Sequence, residues 1–252
     1  MNEAIILGID IGGSSIKVAP INIVTSELAE PLLNVKLPEL PGPDEVRVAI
    51  LSAMEHFHWE GGKIGCTFPG VIQFKKIHTT ANVDQRWKGV NLETYLNELS
   101  LCPCAAINDA DAAGVAEMRF GAGKEYQQKG VVLLLTLGTG IGSALFVNGN
   151  LLNNTEFGHM EVNGVEAEKQ ASAAIKVKEG LSYQEWASRL QICLDAYERL
   201  IYPDLIILGG GISKDIEDFQ DYIHVAAKMV PAHFFNQAGV IGAALYAAEE
   251  LA

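Results

Sequence analysis

The chain has 252 residues, of which 49% are hydrophobic and 19% charged, and its formal net charge is −13 at pH 7. This composition excludes a disordered chain, and the acidic excess argues against nucleic acid or an anionic membrane as a general partner. No apolar run approaches the ~20 residues of a membrane helix and no signal-peptide pattern is present, so we expect a soluble, cytoplasmic protein.

Strands and helices alternate in the first part of the chain, around a glycine turn. An apolar run at 4–10 predicts a strand, residues 12–15 form the turn, and the strand pattern resumes at 16–23. The breaker Pro41-Gly42-Pro43 precedes apolar residues at helical spacing. The other elements predicted before position 120 are a strand at 31–37, a helix at 46–57, a strand at 64–68, a helix at 92–99 capped by Asn91, a strand at 104–107 and a helix at 110–119.

The same opening recurs near position 138. A β-branched apolar run at 131–136 leads into a glycine turn at 138–143, and a strand at 144–147 ends in the hairpin signal Asn148-Gly149. A capping box at Ser182 predicts a helix to about position 201, followed by a strand at 205–208 and a closing helix at 238–251. The repeated unit predicts an α/β protein of two lobes: residues 1–108 with the helix 238–252, and residues 109–237.

Four cysteines are present, and they do not form a zinc-site pattern. Cys102 and Cys104 flank a proline, and no second close pair completes a set of four ligands. We expect free, buried thiols in a reducing compartment. The four residues are Cys66, Cys102, Cys104 and Cys193.

Three glycine turns each follow an apolar strand, which is the strongest chemical signal in the chain. A glycine turn lets backbone N–H groups approach phosphate oxygens with no Cβ in the way. The spacing matches neither a Walker loop nor a dinucleotide fingerprint. A single glycine turn most often serves only the chain reversal, but three of them favour a phosphate-binding protein. The turns contain Gly12 and Gly13, then Gly138 to Gly142, then Gly209, Gly210 and Gly211.

Asp10 follows the first strand and precedes the first glycine turn. A carboxylate there suits a Mg²⁺ that neutralises phosphate charge, directly or through water. The alternative is an aspartate that initiates the turn by bonding its own backbone. Lys17 lies just beyond the turn, and its two interpretations are a phosphate contact and a solvated strand lysine.

Asn108-Asp109 stands where a strand passes into a helix. Either residue suits a helix cap. The functional interpretation makes Asp109 a general base facing the cleft between the lobes, because phosphoryl transfer to a sugar hydroxyl needs a carboxylate within hydrogen-bond reach. Asp111 is the neighbouring candidate, and we expect it to point elsewhere around the helix.

A group of carboxylates and one imidazole follows the second hairpin. Glu156 and His159 lie in the segment EFGHMEV, and Glu168 follows on the next predicted helix. Such groups hold sugar hydroxyls well because each accepts or donates in a fixed direction. A lone glutamate on a helix is more often solvated, which is the alternative for Glu168.

Together these segments resemble the ROK family of sugar kinases. The family's two phosphate motifs are matched by LGIDIGGSSIK and LTLGTGIGSALFVNGNLL, its adenosine-side motif by PDLIILGGGISK, and its sugar motif by TEFGHMEV. The resemblance spans nearly the whole chain and implies the actin/hexokinase-like ATPase fold, which is ribonuclease H-like, with two lobes around a central cleft. The segments GCTFPGVI, TTANVDQRWKG, INDADAAGVAEMRFGAGK and AEKQASAA are similar to the branch of the family that phosphorylates glucose from polyphosphate.

The resemblance also implies a role for each matching residue. Asp109 would be the catalytic base, Gly209–Gly211 would suit ATP, and a homodimer is expected. Structural zinc is not expected, because residues 162–168 lack the cysteines of the family's zinc motif. The residues implied to bind glucose are Asn82, Asn108, Asp109, Glu156, His159 and Glu168, and those implied to meet the phosphates are Asp10, Gly12, Gly13, Ser14 and Lys17, with Gly138, Thr139 and Gly140 opposite.

Alternatives remain for the phosphoryl donor and for the functional class of the protein. A strictly ATP-dependent hexose kinase is the nearest, while Lys75, Lys76, Arg86, Lys88 and Lys124 are candidates for a basic track that binds polyphosphate. A sugar-responsive repressor would need a helix-turn-helix before the first strand, where only Met1 to Glu3 stand. An actin-like switch would not need the sugar-binding group around His159.

Overall fold

The structure, a computed structural model, describes residues 4–252 and contains two compact units. The first comprises Met1–Ala116 with Gln237–Ala252, and the second Glu117–Asn236. Residues 1–3 of the predicted first lobe lie outside the described residues. The predicted lobe boundary at Asn108 stays a prediction.

Fourteen strands are found among the described residues. Ten of them form two five-stranded sheets, and four form two short hairpins. In chain order they are β1 (Ile5–Ile11), β2 (Ser15–Asn22), β3 (Leu33–Lys36), β4 (Ile64–Phe68), β5 (Ile72–Gln73), β6 (Lys76–Ile77), β7 (Cys104–Asn108), β8 (Val131–Leu137), β9 (Ile141–Val147), β10 (Asn150–Leu152), β11 (Glu161–Val162), β12 (Val165–Glu166), β13 (Leu205–Gly209) and β14 (Lys228–Pro231).

Seven α-helices accompany the strands in the described part of the chain, with short 3₁₀ turns between them. None of these helices is long and apolar enough to cross a membrane. They are α1 (Pro43–His56), α2 (Leu92–Ser100), α3 (Asp109–Phe120), α4 (Ala167–Ala171), α5 (Ala173–Glu179), α6 (Tyr183–Ile201) and α7 (Ala238–Glu250).

The two large sheets have the same topology. The first has the strand order β3-β2-β1-β4-β7 and the second β10-β9-β8-β13-β14. In each, the opening hairpin is antiparallel, and the next two strands pair in parallel with it and with each other. The repeat predicted from the two glycine turns is therefore confirmed.

In the first unit, helices cover both faces of the sheet. Alternate residues of β1 and β4, such as Ile9 and Cys66, enter a core that α1 and α2 close. The intervening Gly8 and Gly65 lie against α7, whose backbone leaves no room for a Cβ at either position. The site-bearing ends of β1, β4 and β7 are thus held by layers on both sides.

In the second unit, α6 packs on the core of the sheet. Trp186 and Leu190 of this helix join Leu135 and Leu208 in one buried cluster. The predicted capping box is confirmed: Ser182 Oγ accepts a hydrogen bond from the Glu185 N–H at 3.2 Å, and Glu185 Oε2 accepts one from the Ser182 N–H at 2.9 Å.

Some boundaries differ from the sequence prediction. Strand β9 begins at Ile141, so the predicted glycine turn at 138–143 is three residues too long, because Ile141–Ser143 pair with β8. The hairpins β5–β6 and β11–β12 and the strand β14 were not predicted. The hairpin strands are only two residues long, too short to give a periodic pattern.

Candidate active site

The first glycine turn brings a predicted phosphate-binding segment into contact with a predicted glucose ligand. The Gly12 N–H donates to the Ser15 carbonyl at 3.0 Å and closes the turn between β1 and β2. A Cβ on Gly13 would lie 2.6 Å from Asn82 Cβ and 2.7 Å from the Asn82 carbonyl oxygen. The phosphate turn therefore packs on Asn82, a predicted glucose ligand, at a distance that only glycine allows.

Asp10 accepts hydrogen bonds on both carboxylate oxygens. Lys17 Nζ lies 2.9 Å from Oδ2, and Thr67 Oγ1 donates to Oδ1 at 2.8 Å. Gly239, in the first turn of α7, lies against the same carboxylate. Lys17 is therefore an ion-pair partner and not a solvated strand lysine. Sequence reasoning missed Thr67, since its only signal is the parallel register that places it opposite Asp10.

Asn108 caps α3 and fixes the position of Asp109. Its Oδ1 accepts from the N–H groups of Ala110 and Asp111 at 2.8 and 3.1 Å, and its Nδ2 donates to the Gly70 carbonyl at 3.2 Å. The cap interpretation is therefore confirmed for Asn108. Asp109 follows on the first helical turn, exposed, with Oδ1 2.8 Å from the Ala110 nitrogen, whereas Asp111 is buried.

The second glycine turn is in contact with Glu168. The Gly138 N–H donates to the Gly140 carbonyl at 3.0 Å. Glu168 Oε2 occupies the position beside Gly140 where a Cβ would lie, and it accepts from the Ile141 N–H at 3.4 Å. Thr139 is exposed on this turn. The carboxylate of Glu168 is thus bound to the turn and is not merely solvated.

The segment carrying Glu156 and His159 is fixed to β9. Ser143 Oγ donates to the Thr155 carbonyl at 2.8 Å and accepts from the Phe157 N–H at 3.0 Å. Gly158 packs on the Ile141 backbone with no space for a Cβ. The glycine of the E-x-G-H motif therefore allows the segment to lie directly on the strand.

Three carboxylates surround the imidazole of His159. Nε2 lies 3.8 Å from Glu156 Oε2, while Nδ1 lies 3.9 Å from Glu166 Oε2 and 3.7 Å from Glu168 Oε1. Loss of solvent raises the pKa of the Glu156 carboxyl above its ordinary value, an effect that His159 opposes and Glu168 increases. The cluster brings Glu156, His159 and Glu168 together, as predicted.

Glu166 is a member of this cluster that sequence reasoning missed. It lies on β12, and a hydrogen bond from Lys169, 2.7 Å away, is the main reason that its pKa is held below the ordinary value. The signal in the sequence that could have found it is its position two residues before Glu168, which places two carboxylates close together in the chain.

The region expected to lack zinc forms a hairpin and the start of α4. Gln170 Nε2 donates to the carbonyls of Val162 and Val165 and fastens the two strands. His159, Glu166 and Glu168 each offer one ligand atom, all within 4.8 Å of one another, and all four cysteines are free and buried. The predicted absence of structural zinc stays a prediction.

The backbone of the third glycine turn requires a glycine at position 210. Gly210 has φ of 84° and lies on the Leu137 backbone, where a Cβ does not fit. Its carbonyl accepts from Ser213 Oγ at 2.8 Å, and a 3₁₀ turn begins at Gly211. Gly209 ends β13. The turn therefore has a structural role, which leaves its predicted part in ATP binding open.

Two of the five basic candidates are bound to carboxylates. Lys75 Nζ lies 2.7 Å from Glu93 Oε2. Arg86 forms ion pairs of 3.0 to 3.5 Å with three acidic residues. A polyphosphate chain would have to share or displace these carboxylate partners to contact Lys75 or Arg86.

A cavity of about 640 Å³ in the second unit is separate from these groups. Residues of α6 and of the turn between β11 and β12 line it, and none of the predicted site residues does. Two of its carboxylates hold the fold together: Glu198 Oε1 accepts from the Ala227 N–H, and Asp204 Oδ2 from the Val131 N–H. The cavity is therefore a poor candidate for the active site.

Known proteins resemble this chain over most of its length. The ROK family model matches residues 6–175. A polyphosphate glucokinase of Mycobacterium tuberculosis is 43% identical over 239 residues, which cover 94% of this chain and 89% of the relative. The crystal structure of an inorganic polyphosphate/ATP-glucomannokinase from Arthrobacter sp. strain KM is 39% identical, with a TM-score of 0.92 over 98% of this chain and 99% of the other.

A more distant structure extends the likeness in fold. A ROK family glucokinase from Streptomyces griseus, solved with glucose and AMPPNP, has a TM-score of 0.77 over 95% of this chain and 98% of its own. Its sequence identity is 22%.

Proposed function

The chain belongs to the ROK family, and from this premise we propose that it is a phosphotransferase that moves a phosphoryl group from inorganic polyphosphate to the 6-hydroxyl of glucose. Its fold is that of the actin/hexokinase-like ATPases, as the sequence predicted. The observation that carries the proposal is the 43% identity to a polyphosphate glucokinase over 94% of the chain. This favours polyphosphate use over a strictly ATP-dependent hexokinase.

Asp109 is the proposed general base. It accepts the proton of the glucose 6-hydroxyl while the hydroxyl oxygen bonds to the terminal phosphorus and the shortened polyphosphate leaves. A positioned carboxylate contributes ~10²–10⁴-fold to such a transfer. The support is its exposed place on the first turn of α3, which the Asn108 cap holds in position.

Each unit carries side chains that we propose as sugar ligands. In the second unit, Glu156, His159 and Glu168 form a polar group whose acceptors and donors have fixed directions. In the first unit, Asn82 lies on the glycine turn, and Asn108 keeps one amide N–H beyond the bond to Gly70. We propose these five side chains as the sugar ligands.

The glycine turns bind the donor phosphates through backbone N–H groups. We assign this role to Gly13 and Ser14 in the first unit and to Thr139 and Gly140 in the second. The N–H groups of Gly12 and Gly138 donate within their own turns, and these two glycines shape the turns. Lys17 adds a cation, held by Asp10.

Mg²⁺ is the proposed cofactor, with Asp10 as its protein contact. Carboxylate oxygen suits this ion, and both oxygens of Asp10 already accept hydrogen bonds, so a Mg²⁺ that keeps its waters and meets Asp10 through them fits best. The ion would supply charge neutralisation on the phosphates.

We further propose that ATP is a second donor, with Gly209–Gly211 on the nucleotide side, that the enzyme is a homodimer, and that it acts in the cytoplasm. The support for ATP is the name of the Arthrobacter enzyme. The four free cysteines suit a reducing compartment. Light scattering of the purified protein tests the dimer.

The function is tested by the formation of glucose 6-phosphate from glucose and Mg²⁺ with long-chain polyphosphate or with ATP, at matched phosphoryl concentration. We expect activity with polyphosphate and a lower but measurable activity with ATP. Activity with polyphosphate alone would refute ATP as a second donor. Activity with ATP alone would replace the proposal with the ATP-dependent hexokinase, and inactivity with both donors would refute it for glucose.

A further inference from the structure

One polar face of the first sheet continues from the glycine turn towards the sheet edge. Strand β3 pairs with β2 so that Lys17 is opposite Asn34 and Ser15 is opposite Lys36. Ile16 and Val35, the alternating pair, belong to the core side. Lys36 therefore shares its face with Ser15 and Lys17, because residues directly opposite in a ladder lie on the same side of the sheet.

Lys36 lies immediately beside the phosphate turn. The N–H of the next residue, Leu37, donates to the Ser14 carbonyl at 2.9 Å. Directly opposite residues in an antiparallel pair have Cβ atoms about 4.5–5.5 Å apart, which places the base of the lysine side chain next to Ser15. The position is thus fixed by backbone pairing and is not an accident of a loop.

Lys36 is also a cation without a neutralising partner. The ammonium of Lys17 is paired with Asp10 at 2.9 Å. Lys36 is exposed, and within residues 4–252 it forms no ion pair. On a chain of net charge −13, where Lys75 and Arg86 are paired, this lysine keeps its charge available beside the turn.

We propose that Lys36 binds phosphate units of a polyphosphate donor that lie beyond the unit held by the 12–15 turn, an inference that rests on the proposed function. Every internal phosphate of such a chain carries a negative charge, and a lysine offers a compact cation on a flexible stem. A nucleoside triphosphate ends at its ribose after three phosphates, whereas a long polyphosphate continues with further charged units that reach Lys36. Lys36 is accordingly a specificity residue for the long donor.

The test is the steady-state kinetics of Lys36→Met. We expect KM for long-chain polyphosphate to rise about tenfold, the effect of losing one charge-assisted contact, with unchanged KM for glucose and for ATP. Lys36→Arg keeps the cation and should stay near wild type. The matched control is Lys63→Met, because Lys63 is another lysine without an ion pair among the described residues and stands at the opposite end of the sheet, before β4.

The outcomes separate the subsite from the function. An equal KM for polyphosphate in Lys36→Met and Lys63→Met overturns the subsite, and so does an equal rise in KM for ATP, which would mean that the lysine meets a phosphate common to both donors. Wild-type protein inactive with polyphosphate overturns the proposed function and the subsite with it. Melting temperatures verify folding, and Lys36→Gln replaces the methionine variant if that one unfolds.

Discussion

At the scale of the residue, Asp109 carries the chemistry that the proposal needs. We expect Asp109→Asn to lower kcat by at least ~10²-fold, because the amide cannot take the proton of the sugar hydroxyl. KM for glucose and the melting temperature should change little, since asparagine can still accept from the Ala110 N–H. Asp44→Asn, which changes another aspartate in the first turn of a helix, is the control. Near-normal turnover in Asp109→Asn would remove Asp109 as the base.

Replacing Glu156 by glutamine should stabilise the fold in a pH-dependent way and weaken glucose binding. Its pKa is raised in the folded protein, mainly by loss of solvent. Its contribution to stability is therefore complete below the unfolded pKa and is lost as pH rises through the folded pKa. At neutral pH the ionised form is unfavourable, so we expect Glu156→Gln to melt slightly above wild type at pH 7 but not near pH 4, and to bind glucose weakly. The side chain is 36% exposed, which keeps the gain small.

Glu166→Gln is the matched control, with the opposite sign. The pKa of Glu166 is lowered, first by its hydrogen bond with Lys169, so its contribution is present above the unfolded pKa and is lost as pH falls through the folded pKa. We expect this variant to melt at or slightly below wild type at pH 7. Equal shifts in both glutamine variants, measured by thermal melts across pH, would contradict the assignment of cause.

At the scale of the element, the contact of α7 with β4 depends on glycine. A Cβ on Gly65 would overlap the Ala243 carbonyl, which belongs to helix backbone and cannot rotate away. We expect Gly65→Ala to lower the free energy of unfolding by about 1–3 kcal/mol, as overpacking does. Gly211→Ala, where a Cβ meets no atom within 4 Å, is the control in the same urea titration. Equal stability of the two variants would show that α7 moves away at no cost.

Elements with local signals were predictable from the sequence. Apolar runs and turn residues predicted the strand, glycine turn and strand that open each sheet. The capping-box pattern at Ser182 predicted the start of α6. The strands of β5–β6 and β11–β12 gave no such signal, because two residues are too few to show an alternating pattern. The Gln170 side chain, which fastens β11 to β12, has no recognisable motif in the sequence.

The same distinction applies to the site. Motif residues such as Asp10 and His159 could be chosen from the sequence, but their partners could not. Thr67 reaches Asp10 across 57 residues, and Asn82, which lies outside any helix or strand, contacts Gly13. Ion pairs were equally hidden, because the sequence does not show that Arg86 is paired with three carboxylates.

At the scale of the whole molecule, a net charge of −13 opposes a polyanionic donor. The repulsion acts over long distances, whereas the contacts proposed at the glycine turns and at Lys36 would act at a few ångströms. The Debye length falls from about 30 Å at 0.01 M to about 10 Å at 0.1 M ionic strength, so salt in this range weakens the long-range term first. Net charge and local contacts therefore predict opposite responses to added salt.

We expect kcat/KM for polyphosphate to rise as KCl increases from about 10 to about 100 mM at constant Mg²⁺, and to fall at higher salt as the local contacts are screened. The kcat/KM for glucose at saturating donor is the control, because glucose is neutral and its approach does not depend on the protein's charge. A steady fall of kcat/KM for polyphosphate from the lowest salt concentration upwards would mean that the cations near the turns outweigh the charge of the whole chain. In that case Lys36→Met should flatten the fall, which would assign the dominant attraction to that side chain.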